Sequence, residues 1–144
     1  MSSILSIVIT CFLIFENQSV VKEFHELASK KEEAVFIKKF KQKSDPTIQA
    51  YVCAVEMKQA EYHFNPIVKL KIFNRTKNKL ELLITKHPNN TDLRYIRLML
   101  QERIPRFLGY RTSIEKDKSF LFSKIKAKQI SKEFKYYIYK NTSL

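Results

Sequence analysis

The chain has 144 residues, 44% of them hydrophobic and 28% charged, with one Gly, four Pro and a formal net charge of +13. That is one domain's worth of polymer with enough apolar material for a single core, which argues against general disorder. So few Gly and Pro leave little for the turns of a sandwich or barrel, and none for a glycine-rich phosphate loop, so β-rich folds and nucleotide-fold enzymes are disfavoured.

The charge is uneven: residues 1 to 19 carry −1, whereas residues 111 to 144 carry +6. Such an excess favours anionic partners, whether nucleic acid, phospholipid headgroups or acidic glycans, through attraction that salt weakens. The alternative is a solvated lysine surface with no partner.

Ile4 to Phe15 (ILSIVITCFLIF) is an uninterrupted apolar run, the length of a signal-peptide h-region and short of the roughly 20 residues that span a bilayer. Residues 1–18 therefore read as an export signal cut near Asn17 or Gln18. Only the terminal amine supplies positive charge before the run, and no small-x-small site follows it. The alternative is an N-terminal core helix of a cytoplasmic protein. Cys11 lacks the small preceding residue of a lipidated cysteine, so no lipoprotein anchor is expected, and Cys53 reads as a small buried apolar side chain.

Val20, Phe24 and Leu27, then Val35, Phe36, Ile37 and Phe40, predict two short amphipathic helices, the second opened by the capping-box spacing Ser29-Lys30-Lys31-Glu32. Asp45-Pro46 and Asn65-Pro66 each place a capping side chain before a proline suited to a first helical position. After Asp45, apolar residues occupy most sides (Ile48, Tyr51, Val52 and Val55 on one, Ala50, Cys53, Ala54 and Met57 on another), which predicts a central helix. After Asn65, Ile67, Leu70, Phe73, Leu80, Leu83 and Ile84 make a single stripe, the mark of an outer helix. Pro88 closes it, and Asn90-Thr91 cap a fifth helix carrying Leu93, Ile96, Leu100 and Ile104, which Pro105 stops. Gly109 suits a left-handed cap. Thr112-Ser113-Ile114-Glu115 again has capping-box spacing, followed by stripes at Ile114, Leu121, Phe122 and Ile125 and at Ile130, Phe134, Tyr137 and Ile138. Phe134 to Tyr139 would also suit a strand.

The expected fold is all-α: an irregular bundle of about six to seven helices packed as antiparallel hairpins over residues 19–144. A tetratricopeptide array fits weakly, since aligning Pro88 with that repeat's terminal proline puts Ala60, His63, Phe64, Thr76 and Leu83 at its signature positions.

The stretch from Asn65-Pro66 to Phe73, then Pro88-Asn89-Asn90-Thr91-Asp92-Leu93-Arg94-Tyr95-Ile96-Arg97, then Pro105-Arg106-Phe107-Leu108-Gly109-Tyr110 and Ile114 to Phe120 resembles a group of short, exported, uncharacterised helical proteins of Bacteroidetes. The resemblance covers residues 45 to about 122 and implies a helical fold and export from a bacterial cell. It brings no activity, and this chain departs from the group in lacking a basic n-region.

No catalytic constellation is visible. His25, His63 and His87 are scattered without metal-ligand spacing and read as surface or helix-end residues. Adjacent Glu32 and Glu33 point about 100° apart on a helix and read as first-turn carboxylates. The distinctive polar set is Arg94, Arg97, Gln101, Arg103 and Arg106 in a chain whose other cations are nearly all lysine. Arg94, Arg97 and Gln101 share a helix face, and arginine's planar fork suits carboxylate or phosphate, so they are the candidate anion- or partner-binding residues. Alternatively they tie helices together through Asp92, Glu102 and carbonyls. The C-terminal lysines among Phe134, Tyr136, Tyr137 and Tyr139 could serve single-stranded nucleic acid or a membrane surface, or form a solvated face. Four Asn-x-Ser/Thr triplets, at Asn17, Asn74, Asn89 and Asn141, would be idle in a bacterium.

The sequence thus points to a non-enzymatic helical protein of the bacterial envelope, periplasmic or otherwise exported, acting through protein interaction with another protein or an acidic surface. It needs no metal, cofactor or small-molecule substrate. The alternative is a basic module for nucleic acid or an anionic surface.

Overall fold

The computed structural model describes residues 2–144, and among them seven helices follow one another with no strand. They are α1 (Ser2–Glu26), α2 (Lys30–Phe40), α3 (Pro46–Gln59), α4 (Pro66–Lys86), α5 (Thr91–Arg103), α6 (Ile114–Lys126) and α7 (Lys132–Asn141), with 3₁₀ turns at Ala60–Tyr62 and Arg106–Leu108. The segment Phe134 to Tyr139 is helical, its alternative strand preference overridden by packing on α1 and α5.

Most starts sit where local chemistry puts them. Ser29 and Glu32 form the reciprocal capping box of α2, and Asp45, Asn65 and Asn90 each accept from first-turn amides of α3, α4 and α5. Gly109 closes the second 3₁₀ turn at φ 66°, a left-handed conformation in which a side chain would be strained. The start of α6 differs. Its N-cap is Ser113, whose side chain makes no cap bond, and the Ser113 amide instead donates to Gln101 Oε1 of α5 at 3.1 Å. Gln101 thus serves the N-cap amide, which in a capping box is bonded by the carboxylate three residues on.

α3 is buried from Thr47 to Val55 and packs against α1, α2, α4 and α5, which makes it the central helix the sequence expects. Its Gln49 amide donates to the Lys41 carbonyl at 3.2 Å and to that of Lys43, so α3 also satisfies the loose end of α2. α5 is a second central helix, buried from Leu93 to Gln101 despite its arginines. α4 buries Phe73, Thr76, Leu80 and Ile84, but its first turns leave Ile67 and Leu70 in solvent, so the apolar stripe is only half covered.

α7 returns to the N-terminal helix: Tyr137 stacks on His25 of α1 at 3.9 Å between ring centroids, and Phe134 packs on Tyr95 of α5. A tetratricopeptide-like solenoid, in which each unit meets only its neighbours, would not bring its last helix back to its first.

α1 is a single helix running through the apolar run and on into the amphipathic segment. Its later half is docked, with Val20 buried, Phe24 against Tyr51 at 5.0 Å and Glu16 paired to Lys43 at 2.5 Å. In the earlier half the described apolar side chains Ile7, Ile9, Phe12, Ile14 and Phe15 are all exposed. Those five described side chains thus make no part of the core. The terminal amine, standing in for a basic n-region, lies outside the described residues. No helix among the described residues is long and apolar enough to cross a membrane.

Candidate functional site

The arginine face is turned inward. Arg97 makes a bidentate pair with Asp117 of α6, Nε to Oδ2 at 2.7 Å and Nη2 to Oδ1 at 2.8 Å, while its Nη1 donates to Glu81 Oε2 of α4 at 2.8 Å. Arg94 Nε lies 2.5 Å from Asp117 Oδ1, an ion pair too skewed to be a hydrogen bond, and its guanidinium sits over the Phe120 ring. Tyr110 completes the group by donating to Glu81 Oε1 at 2.5 Å. Two cations and two carboxylates thus balance inside the protein, joining α4, α5 and α6. The partners are Asp117 and Glu81, not Asp92 and Glu102. Asp92 accepts from Tyr51, and Glu102 holds Ser143 and Lys118.

The electrostatics follow from burial. Burial opposes the charge of Arg97, but the bond and charge of Asp117, with Glu81 behind them, outweigh it and hold the pKa above its ordinary value. Burial, then the Glu81 carboxylate, raises the Tyr110 phenol, which stays protonated and donating. Gln101 is fully buried, and its Nε2 has no partner among the described residues while its Oε1 serves Ser113. The remaining arginines lie apart from this network. Arg103 is exposed and donates to Asn141 Oδ1 at 3.0 Å, and Arg106 stands in solvent on the second 3₁₀ turn. The structure therefore brings Arg94, Arg97 and Gln101 together, leaves Arg103 and Arg106 out, and engages the guanidinium of Arg97 with carboxylates already present.

Other titratable groups are equally committed. Glu33 is buried and receives Gln59 Nε2 at 2.7 Å, the Tyr62 hydroxyl and Lys58 Nζ at 2.6 Å, tying α2 to the end of α3; only Glu32 of the pair acts as a first-turn cap. His25 is half-buried, with Nε2 3.3 Å from the Tyr95 hydroxyl; burial, then the charges of Arg103 and Lys140, lower its pKa to about 4, so it is neutral at pH 7. Burial pushes the Cys53 thiol up to about 12. Among the described residues no group of His, Cys, Asp and Glu is placed to hold a metal.

What the bundle leaves open is apolar. A groove of ≈ 640 Å³ runs between the end of α3 (Met57, Ala60), the first turns of α4 (Leu70, Phe73) and the Ile104 to Leu108 segment. Glu61 and Lys69 are the charged residues that line it. Of its lining, Leu70 at 48% relative exposure and Phe107 at 86% are large apolar side chains open to solvent, and Phe64 and Ile67, on either side of Asn65-Pro66, are exposed at 103% and 76%. Local chemistry places Phe64 and Phe107. Asn65 and Pro66 start α4 immediately after Phe64 and throw that ring outward, and Pro105 ends α5 so that the following 3₁₀ turn presents Phe107. Sequence reasoning assigned Ile67 and Leu70 to the core, because a helical stripe shows which residues share a face and not whether anything covers it.

No family model, curated protein or solved structure matches the chain. In this geometry Arg97, Asp117 and Tyr110 serve the fold, and the groove is an uncovered apolar surface.

Proposed function

We propose that this is a non-enzymatic helical protein of the bacterial envelope that works by binding another protein, with the groove between α3, α4 and the Ile104 to Leu108 segment as its binding face. The observation that carries the reading is the groove's uncovered apolar surface, with Leu70 and Phe107 of its lining exposed. Exposed apolar area costs about 25 cal/mol per Å², and soluble chains retain contiguous patches chiefly where something docks. A groove walled by helix ends suits an amphipathic helix laid in with anchors one turn apart. Exposed Lys69 and Arg106 outnumber the exposed Glu61 of the lining, and with a net charge of +13 favour a partner helix with acidic flanks. The envelope assignment is supported by the apolar run at Ile4 to Phe15.

The test is a titration with labelled amphipathic peptides that share one apolar face and carry either acidic or basic flanks. Micromolar binding of the acidic peptide, at least tenfold weaker binding of the basic one, and loss of both in Leu70→Ser/Phe107→Ser with an unchanged helical spectrum is the expected result. If neither peptide binds, or the double variant binds as the parent does, the groove is not the site.

A further inference from the structure

We infer that α7 and the apolar half of α1 together form a docking surface for a bilayer rich in anionic phospholipid. This surface is separate from the groove. Phe134 and Ile138 of α7 face the core, and Tyr137 lies against His25. The opposite side presents Lys132, Lys135, Tyr136, Tyr139 and Lys140, spaced i, i+3, i+4, i+7 and i+8, so all five fall on one helical stripe, and all five are exposed. The acidic residue of α7, Glu133, is exposed at the edge of the stripe, engaged with the Tyr137 hydroxyl at 3.4 Å. None of the three lysines pairs with a carboxylate among the described residues. Lys135 and Lys140 instead sit over the Tyr139 and Tyr136 rings, at 5.7 and 5.5 Å from their centroids. Unpaired cations over half-exposed tyrosines are the side-chain set of a headgroup layer, where the ammonium meets phosphate and the ring spans the polar and apolar depths.

The second component is placed by α1. Ile14, Asn17 and Gln18 share a depression with Ser131, Glu133 and Phe134, and eleven residues after Ile14 His25 stacks on Tyr137. α7 therefore starts near the middle of α1 and brings Tyr137 to its last turn, so the apolar half of α1 continues past the first residue of α7. Its described apolar side chains, Ile7, Ile9, Phe12, Ile14 and Phe15, are all exposed. At 1.5 Å per residue, twelve helical residues reach about 18 Å, against a hydrocarbon core of about 30 Å, so this segment enters the interface rather than crossing it. An apolar helix and a polybasic face, side by side, make the two-signal anchor that holds a protein stably on an anionic surface where either alone binds weakly. Nucleic acid would use the lysines and rings but would leave the apolar helix in water, which is why the bilayer is the occupant favoured here. The surface requires that residues 2–15 remain on the working protein. The uninterrupted helix across Asn17 and Gln18 and the missing small-x-small site accord with that retention.

The experiment is co-flotation of the full chain with phosphatidylcholine vesicles containing either no phosphatidylglycerol or about one third. Binding should be strong only with the anionic lipid and should weaken in 0.5 M salt. Lys132→Gln/Lys135→Gln/Lys140→Gln should lower partitioning on the order of 100-fold, and Phe12→Ser/Phe15→Ser should lower it further on both vesicle types. All five positions are exposed, so the helical spectrum should be unchanged. Equal binding to neutral and anionic vesicles, undiminished binding by the triple variant, or a single-stranded oligonucleotide that strips the chain from vesicles would each overturn the inference. So would an intact mass of the natively expressed protein that lacks residues 2–15.

Discussion

Replacing Asp117 by Ala removes the carboxylate on which both buried arginines rest. Asp117 is 0% exposed, and Arg94 and Arg97 are nearly so, which means the two guanidiniums cannot exchange the lost partner for bulk water. Breaking a buried pair in this way costs about 3–5 kcal/mol, because the remaining charge stays desolvated. For 144 residues the unfolding entropy is about 0.3 kcal/mol/K, so the loss lowers Tm by about 10–16 °C. Differential scanning calorimetry reads this directly. The triple variant Arg94→Met/Arg97→Met/Asp117→Leu removes the charges together and should regain most of that stability, leaving Glu81 bonded to Tyr110. A drop of less than about 3 °C for Asp117→Ala, or a triple variant no better than the single one, would refute the view that α5 and α6 are locked by this network.

The pH dependence should contain two opposing contributions. Burial, against the pull of the Tyr51 hydrogen bond, raises Asp92 to about 6 in the fold, so its contribution to stability is full near pH 4 and is lost as pH rises through 6. Asp92→Asn should therefore be more stable than the parent at pH 7, by at most about 3 kcal/mol, with the advantage shrinking on acidification; chemical denaturation across pH checks it. His25, held near 4 by burial and by its cationic neighbours, costs stability as pH falls from 6.5 toward 4, so His25→Gln should remove that loss, and a curve parallel to the parent's would contradict the assignment. Of the two cysteines, exposed Cys11 should alkylate in the native full chain, while buried Cys53 should react only after unfolding, as counted by mass spectrometry.

The fold was legible wherever a local rule decides it. Asp45-Pro46, Asn65-Pro66, Asn90 and Gly109 mark helix ends by satisfying backbone groups within a few residues, and the all-round apolar pattern after Asp45 marks α3 as central. The central position of α5 was hidden by its own arginines. Spacing puts Arg94, Arg97 and Gln101 on one face, but the sign of that face, solvent or core, depends on Asp117, twenty residues on and across a turn. The start of α6 departs from the local rule for the same reason, since Gln101 accepts from another helix the N-cap amide that a capping box gives to its own carboxylate. The groove followed this pattern in reverse: Ile67 and Leu70 have the spacing of core residues, and only the tertiary arrangement reveals that no helix covers them. The basic-aromatic stripe of α7 was visible as composition, and the helix that became its neighbour, α1, lies more than a hundred residues away.

The central claim, that an apolar groove binds a partner helix, is tested most directly by a photoreactive residue at position 70, in the groove lining, in cells that make the protein natively. The account predicts a discrete adduct whose attached peptide is amphipathic with acidic flanks, and its loss when the probe is moved to exposed Lys31. No adduct from position 70, or the same adducts from both positions, would contradict it.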